Sequence, residues 1–302
     1  MTTTQPDPSM IGGLDKAPFA LLSDPVKTFT ARAERFEFLA RDHQLAPYLS
    51  FLAKISRIQA GLCAELPPVD RLSQARITLA RDSRMPPIDR ASLAGDTSLA
   101  ATLNALCDQI GKIDLPEPAR LALRAVQAAD DGDRRWLLGN VLADTIPEDS
   151  AGPHMLAAAA VQVHLASIAA TLDAGALVPI SVGVCPACGG KPVSSSVTGA
   201  QGVENVRYCS CATCATRWNE VRIKCLCCGS TKGISYRSVE DDAATIKAEV
   251  CSECNSWVKI LYQVKNASLD PVPDDVGSLG LDMLMKDTPF RRGGFHPFIA
   301  GY

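Results

Sequence analysis

The chain has 302 residues, a formal net charge of −3 at pH 7 and a hydrophobic content of 47%. That length suits two or three domains, and the composition is that of a globular protein, which excludes wholesale disorder and collagen-like repetition. A pI near 5.8 argues against a broad basic coat for nucleic acid.

Residues 1–20 carry neither the basic n-region nor the apolar h-region of a secretory signal and read as a flexible N-terminus. From 21 to 180 the pattern is helical. Ser23 and Asp24 offer a cap before Pro25, and Val26, Phe29, Ala33, Phe36 and Leu39 recur on one helix face. A second helix starts near Pro47 with Leu52, Ile55, Ile58 and Leu62 as its stripe, and Pro67 and Pro68 end it. Arg81 to Asp89 reads as a loop. Asp96 or Thr97 caps a third helix bearing Leu99, Leu103, Leu106 and Ile110. Pro118 to Ala129 is a fourth helix, and Trp136, Leu137, Val141 and Leu142 mark a fifth, stopped before Pro147. Cys63 and Cys107 sit on these stripes as small hydrophobes.

The most apolar stretch, Met155 to Leu172, is alanine-rich, contains Gln162 and His164, and is closed by Asp173. It reads as a buried helix rather than a span, which would need about 20 mostly apolar residues. His154 and His164 read as core or helix-surface residues, not ligands. Gly175 to Val184, with Pro179 and Gly183, reads as an interdomain linker.

Ten of the twelve cysteines lie between Cys185 and Cys254. Four C-x-x-C pairs occur there: Cys185/Cys188, Cys211/Cys214, Cys225/Cys228 and Cys251/Cys254. Each cysteine of the first two pairs recurs 40 residues later, so the region is two copies of C-x2-C-x22-C-x2-C separated by ten residues. Gly189 and Gly229 follow the first pair of each copy; Ala215 and Asn255 follow the second.

Two cysteines three apart wrap a tight turn and offer both sulfurs to one ion, with glycine supplying the positive φ such a turn often wants. Two turns supply the four thiolates of a closed tetrahedral site. Residues 217–224 and 256–263 alternate as strands that bring the turns together. A copy of about 40 residues buries too little surface to fold unaided, and metal supplies the deficit. A reducing cytoplasm, the expected location, holds no structural disulfides, so ligation is the reading for these thiols. The shared polarity of the copies favours pairing within each copy over a cross-brace between them. Cys209 and Cys227 fit neither set and read as spare thiols. Four thiolates suit zinc and also a single rubredoxin-like iron, and spacing alone favours zinc without excluding iron.

Three functions could follow. A nucleic-acid module is disfavoured, because residues 181–269 carry +3 with neutral thiols and −1 once two divalent ions and eight thiolates are counted. A thiol–disulfide oxidoreductase uses one C-x-x-C in a βαβ context, not four in register. A protein-binding or electron-handling module joined to a helical docking domain fits best.

The cysteine region closely resembles the formate dehydrogenase accessory proteins, the FdhE family. The resemblance rests on CPACG at Cys185, the run RYCSCATCATRWNEVRIKCLCCGS from Arg207 to Ser230, GISY at 233–236, KAEVCSEC at 247–254 and KILYQ at 259–263. SDP at Ser23 and the tail motifs DDVGSLGLDMLM and RRGGFHPF extend it over nearly the whole chain. The resemblance implies a cytoplasmic maturation factor that is not an enzyme and that binds the catalytic subunit of respiratory formate dehydrogenase before export. It implies rubredoxin-like sites, which moves the expected cofactor from zinc to two iron ions, with zinc as the alternative. The expected ligands are Cys185, Cys188, Cys211, Cys214, Cys225, Cys228, Cys251 and Cys254. Cys209, Cys227, Arg217 and Trp257 depart from the family pattern, and none removes a ligand.

The expected architecture is α+β: an all-helical docking domain over 21–180, four-cysteine ribbons over 181–222 and 223–269, and a C-terminal helix and tail over 270–302. The tail helix, Asp274 to Lys286, is expected to pack back on one of the domains, with a solvated end beyond it. No membrane insertion and no nucleic-acid partner are expected. A structural zinc-ribbon adaptor is the alternative function.

Overall fold

The computed structural model describes residues 17–199, 204–239 and 244–299. The expected flexible N-terminus therefore lies outside the described residues up to Lys16. Its last residues are held: Ala20–Leu21 forms strand β1, and Ala20 pairs with Trp218.

The helical half contains α1 (Pro25–Leu39), α2 (Ala46–Glu65), α3 (Gln74–Asp82), α4 (Thr97–Ile110), α5 (Glu117–Ala128), α6 (Asp131–Leu142) and α7 (Ala151–Ala170). Asp24 caps α1 by accepting from the Lys27 amide at 3.2 Å. Ser23, the other expected cap, donates instead to the Ala215 carbonyl at 3.0 Å and ties the helix entry to the first ribbon. Phe29, Ala33 and Phe36 are buried as the stripe predicts, while Val26 stays exposed in the first turn. Asp96 caps α4, accepting from the amides of Ser98 and Leu99 at 2.7 and 3.0 Å.

Helix α3 overlaps the start of the segment read as a loop. Its periodicity is weak because it lies on the surface and buries only Ala80. Ser73 caps it through the Arg76 amide at 3.3 Å.

Helix α7 is the axis of this half. Glu148–Ala170 is long and apolar enough to cross a membrane by length and composition, but 83% of its apolar window is buried inside the protein. Helices α1, α2, α4, α5 and α6 all pack on it. Its polar residues are accommodated. His154 Nδ1 donates to the Ser150 carbonyl at 2.7 Å, leaving Nε2 to accept from the Asn140 amide at 3.1 Å. Burial lowers the pKa of both His154 and His164. Cys107 is buried on α4 and Cys63 is half-buried on α2, and burial pushes both thiols up to about 11.

The second half is built on one sheet. Its strands are β2 (Pro192–Val197), β3 (Arg207–Cys211), β4 (Arg217–Glu220), β5 (Ile234–Arg237), β6 (Ile246–Cys251), β7 (Ser256–Tyr262) and β8 (Arg291–Arg292). The order is β1-β4-β3-β2-β7-β6-β5, with β8 beside β7. Each ribbon is an antiparallel three-strand unit, and the two are fused where β2 and β7 run parallel, Ser195 opposite Ile260. The strand expected over 217–224 stops at Glu220, and Val221 and Ile223 beyond it are exposed.

A buried arginine crosses the seam. Arg207 on β3 donates to Ser195 Oγ, to Glu249 Oε1 at 2.8 Å on β6, and to the Lys224 carbonyl at 2.9 Å. Burial raises the Glu249 pKa against the pull of Arg207, so the pair locks the two ribbons more than it stabilises them.

The tail departs from expectation twice. The single helix expected over 274–286 is two, α8 (Pro273–Gly277) and α9 (Leu279–Lys286), interrupted at Ser278. At this break Lys259 of β7, fully buried, donates from its ammonium to the carbonyls of Asp275 and Ser278 at 2.7 and 3.1 Å. Lys259 and Arg292 both pair with the carboxylates of Asp275 and Asp282, which closes a buried four-charge clamp. Nor is the tail solvated through Ile299, the last of the described residues. Arg291 and Arg292 extend the sheet along β7, and Phe295, His296, Phe298 and Ile299 are buried.

Candidate metal centres

The eight expected ligands gather into two clusters, Cys185/Cys188/Cys211/Cys214 and Cys225/Cys228/Cys251/Cys254, each with its sulfurs within 4.8 Å of one another. The grouping is within each copy, not crossed between copies. In the first, Sγ separations are 3.6 Å for Cys185–Cys214 and 3.5 Å for Cys188–Cys211. In the second they are 3.6 Å for Cys225–Cys254 and 3.8 Å for Cys228–Cys251. Four sulfurs at about 2.3 Å from a tetrahedral ion lie about 3.8 Å apart. The donor set and its spacing therefore fit a single thiophilic ion in each cluster.

The backbone builds these positions. Gly189 and Gly229 have φ of +76° and +78° as the turns require. Their amides close on the carbonyls of Cys185 and Cys225 at 2.8 and 3.1 Å. Ala215 and Asn255, after the second pairs, also adopt positive φ, 58° and 51°, so all four pairs are followed by a residue of positive φ. Amides point at sulfur: Thr213 and Cys214 donate to Cys211 Sγ at 3.5 Å, Cys227 to Cys225 Sγ at 3.3 Å. Such bonds favour the thiolate. Burial nevertheless pushes the Cys185 and Cys214 thiols well up; four packed anions are tolerable there only around a cation.

The surroundings differ. All four cysteines of the first cluster are buried, whereas Cys228 is exposed and Cys254 half-buried in the second. The helical half encloses the first. Ile88 donates its amide to the Ala187 carbonyl at 3.1 Å. Gln162 of α7, held by Gln59 of α2 at 2.9 Å, donates to the Ala212 carbonyl at 2.8 Å. Arg90 pairs with Asp144 through two bonds, Nη2–Oδ1 at 2.6 Å and Nη1–Oδ2 at 3.2 Å, and Asp144 also accepts from the Lys191 amide at 2.8 Å. Burial opposes the charge on Arg90, but the nearby Cys188 sulfur and then Asp144 outweigh it and raise its pKa. Gly190 makes room: a Cβ there would lie 2.1 Å from Arg90 Nη1.

Arg90, Asp144 and Gln59 were not legible as site residues, because nothing local ties them to the cysteines. The only trace was Gln162, a polar residue inside an apolar helix. Of the two spare thiols, Cys209 is fully buried on β3 and pushed up to about 12 by burial. Cys227 is exposed, with its sulfur lying against Gly293 of the tail.

Comparison with known proteins matches the chain to three family models: "FdhE, N-terminal" over residues 17–182, "FdhE, central domain" over 184–222 and "FdhE, C-terminal domain" over 223–299. A protein FdhE homolog of Rhizobium meliloti (strain 1021) is 53% identical over 304 residues, covering 100% of this chain and 99% of that one. One from Proteus mirabilis (strain HI4320) is 32% identical, covering 90% and 88%. The crystal structure of the FdhE protein from Pseudomonas aeruginosa is similar with a TM-score of 0.84 at 28% identity, covering 94% of this chain and 99% of that chain.

Proposed function

The chain belongs to the FdhE family, and we propose that it is a maturation factor for respiratory formate dehydrogenase, binding the immature catalytic subunit in the cytoplasm without turning over a small molecule itself. The observation that carries this reading is the combination of family membership along the full chain with two all-cysteine clusters, one of them sealed between the helical half and the sheet. Cys185, Cys188, Cys211 and Cys214 would hold one ion, and Cys225, Cys228, Cys251 and Cys254 the other. Bound iron would supply a one-electron couple. Arg90 and the amides aimed at Cys211 would stabilise the net negative charge of the first site. A purely structural zinc-ribbon adaptor is the second reading, and the four-thiol geometry suits it equally.

The maturation role is tested by dye-linked formate dehydrogenase activity in a strain lacking this gene, complemented with wild type or with Cys211→Ser/Cys214→Ser. Activity lost on deletion and restored only by wild type supports the role. Activity unchanged by deletion overturns the client. Metal analysis of untagged protein separates the readings of the sites: two zinc and no iron per chain sinks the redox version.

A further inference from the structure

We propose that Arg32 of α1 and Arg217 of β4, with the hydroxyl of Ser210 on β3, form a binding site for a small inorganic oxyanion of the phosphate or sulfate type. The inference is independent of the proposed client, and its test involves no formate dehydrogenase.

The site begins with charges that lack partners. Arg90, Arg207 and Lys259, the other buried cations among the described residues, each hold a carboxylate oxygen, at 2.6, 2.8 and 2.8 Å. Arg32 is 5% exposed, yet the carboxylate it reaches, Asp270, stands 4.0 Å away. Arg217 is half-buried. Neither guanidinium makes a hydrogen bond to a described residue, and the Nε of each is enclosed without an acceptor. Both instead lie over aromatic rings, Arg32 over Phe29 at 5.1 Å and Arg217 over Tyr208 at 5.3 Å. Contact through the flat face holds a guanidinium in place and leaves its N–H donors, which lie in the plane, unspent.

One carboxylate does not balance the pair. Asp270 is the only carboxylate whose charge acts on either arginine, and burial lowers the pKa of both against that pull. Asp270 Oδ1 is also committed to the Val272 amide at 2.9 Å. Two cations and one anion leave a positive charge uncompensated in a largely enclosed place, which is costly until a second anion arrives.

The sheet adds donors. Ser210 lies opposite Arg217 across β3 and β4, and Ser194 lies opposite Ser210 across β2 and β3. Ser194 Oγ donates to the Pro271 carbonyl at 3.4 Å, which lays the segment carrying Asp270 over this row. Ser210 Oγ is enclosed without a hydrogen-bond partner, as is Ser196 Oγ two residues along β2 from Ser194 on the same face. Guanidinium forks and hydroxyls without acceptors are the donor set that holds phosphate and sulfate. The Asp270 side chain is 24% exposed, so the site is open on that side. With Arg32 and Ser210 almost wholly enclosed, it suits a small ion and not a ligand with an extended body.

The test is a titration of the full metal-loaded chain with inorganic phosphate, followed by calorimetry and by thermal melts, with sodium chloride at matched ionic strength as the control. Phosphate should raise the melting midpoint of wild type saturably, and chloride should not. Arg217→Gln leaves Arg32 and Asp270 as a balanced pair. It should melt no lower than wild type without phosphate, and it should bind phosphate on the order of tenfold or more weakly. Ser210→Ala should weaken binding several-fold. No saturable response in wild type, or a response that Arg217→Gln and Ser210→Ala leave unchanged, overturns the proposal. Should Arg217→Gln fail to fold, Arg217→Lys keeps the charge and loses the fork. Weaker phosphate binding by that variant supports the site, and undiminished binding overturns it.

Discussion

The two four-cysteine clusters share a repeat unit, a positive-φ residue after each pair and sulfur separations of 3.5 to 3.8 Å, yet they sit in opposite environments. The first is closed off by α7, by the Arg90–Asp144 pair and by the loop carrying Ile88. The second keeps Cys228 and Cys254 within reach of solvent, with the tail along one side. Ligand geometry is set by a few residues around each turn, whereas burial is set by what the rest of the chain lays over it. One site is thereby built into the core and the other presented at the surface, so removing an ion from each should have unequal consequences.

The largest contrast comes from removing ligands. Cys185→Ser/Cys188→Ser should abolish metal at the first cluster and leave buried hydroxyls among thiols under the helical half. The loss is on the order of 10 kcal/mol, seen as insoluble or globally unfolded chain. Cys225→Ser/Cys228→Ser should release one ion per chain and leave the helical half folded by circular dichroism. Equal collapse of both variants would break the comparison.

Arg90→Ala tests the enclosure alone. It strands Asp144, 7% exposed on its side chain, beside four sulfurs, at a cost of about 3–5 kcal/mol. Urea melts should show it, with the second cluster's metal retained.

Acid sharpens the other side. Burial pulls His296 down to about 4 from 6.5, with Lys259 and Arg292 opposing its charge and Asp275 favouring it. Between these values the unfolded chain binds the extra proton, so this stability is complete above about pH 6.5 and is lost as pH falls towards 4, by up to about 3 kcal/mol. His296→Gln should flatten that part of the stability–pH curve relative to wild type, which isolates it from acid loss of metal.

The smallest effect is Gln162→Leu, which leaves the Ala212 carbonyl without its buried donor and costs about 1–3 kcal/mol. A chromophoric chelator should withdraw metal from wild type in two phases, the second cluster first. In the variant the slow phase should quicken while the fast one is unchanged.

Much of the fold was legible. The stripes of α1, α2 and α4 put Phe29, Phe36, Leu52, Ile55, Leu99 and Leu103 in the core, where they are. Helix α3 was missed because a surface helix that buries one alanine leaves little periodic signal. The tail was misjudged because its anchors are distant: Lys259, Pro192 and Tyr48 hold it from three separate elements.

The two clusters, their grouping by copy and the helical character of the first half are written in residue spacing, and spacing acts through bond geometry over a few residues. Other features exist only once the chain has folded. The ribbons share one sheet through β2 and β7, Arg90 and Asp144 stand beside one cluster, and the tail returns to the helices. Each joins residues far apart in the chain, where the deciding quantities are burial and the pairing of charges and hydrogen bonds it demands, and no local pattern encodes those.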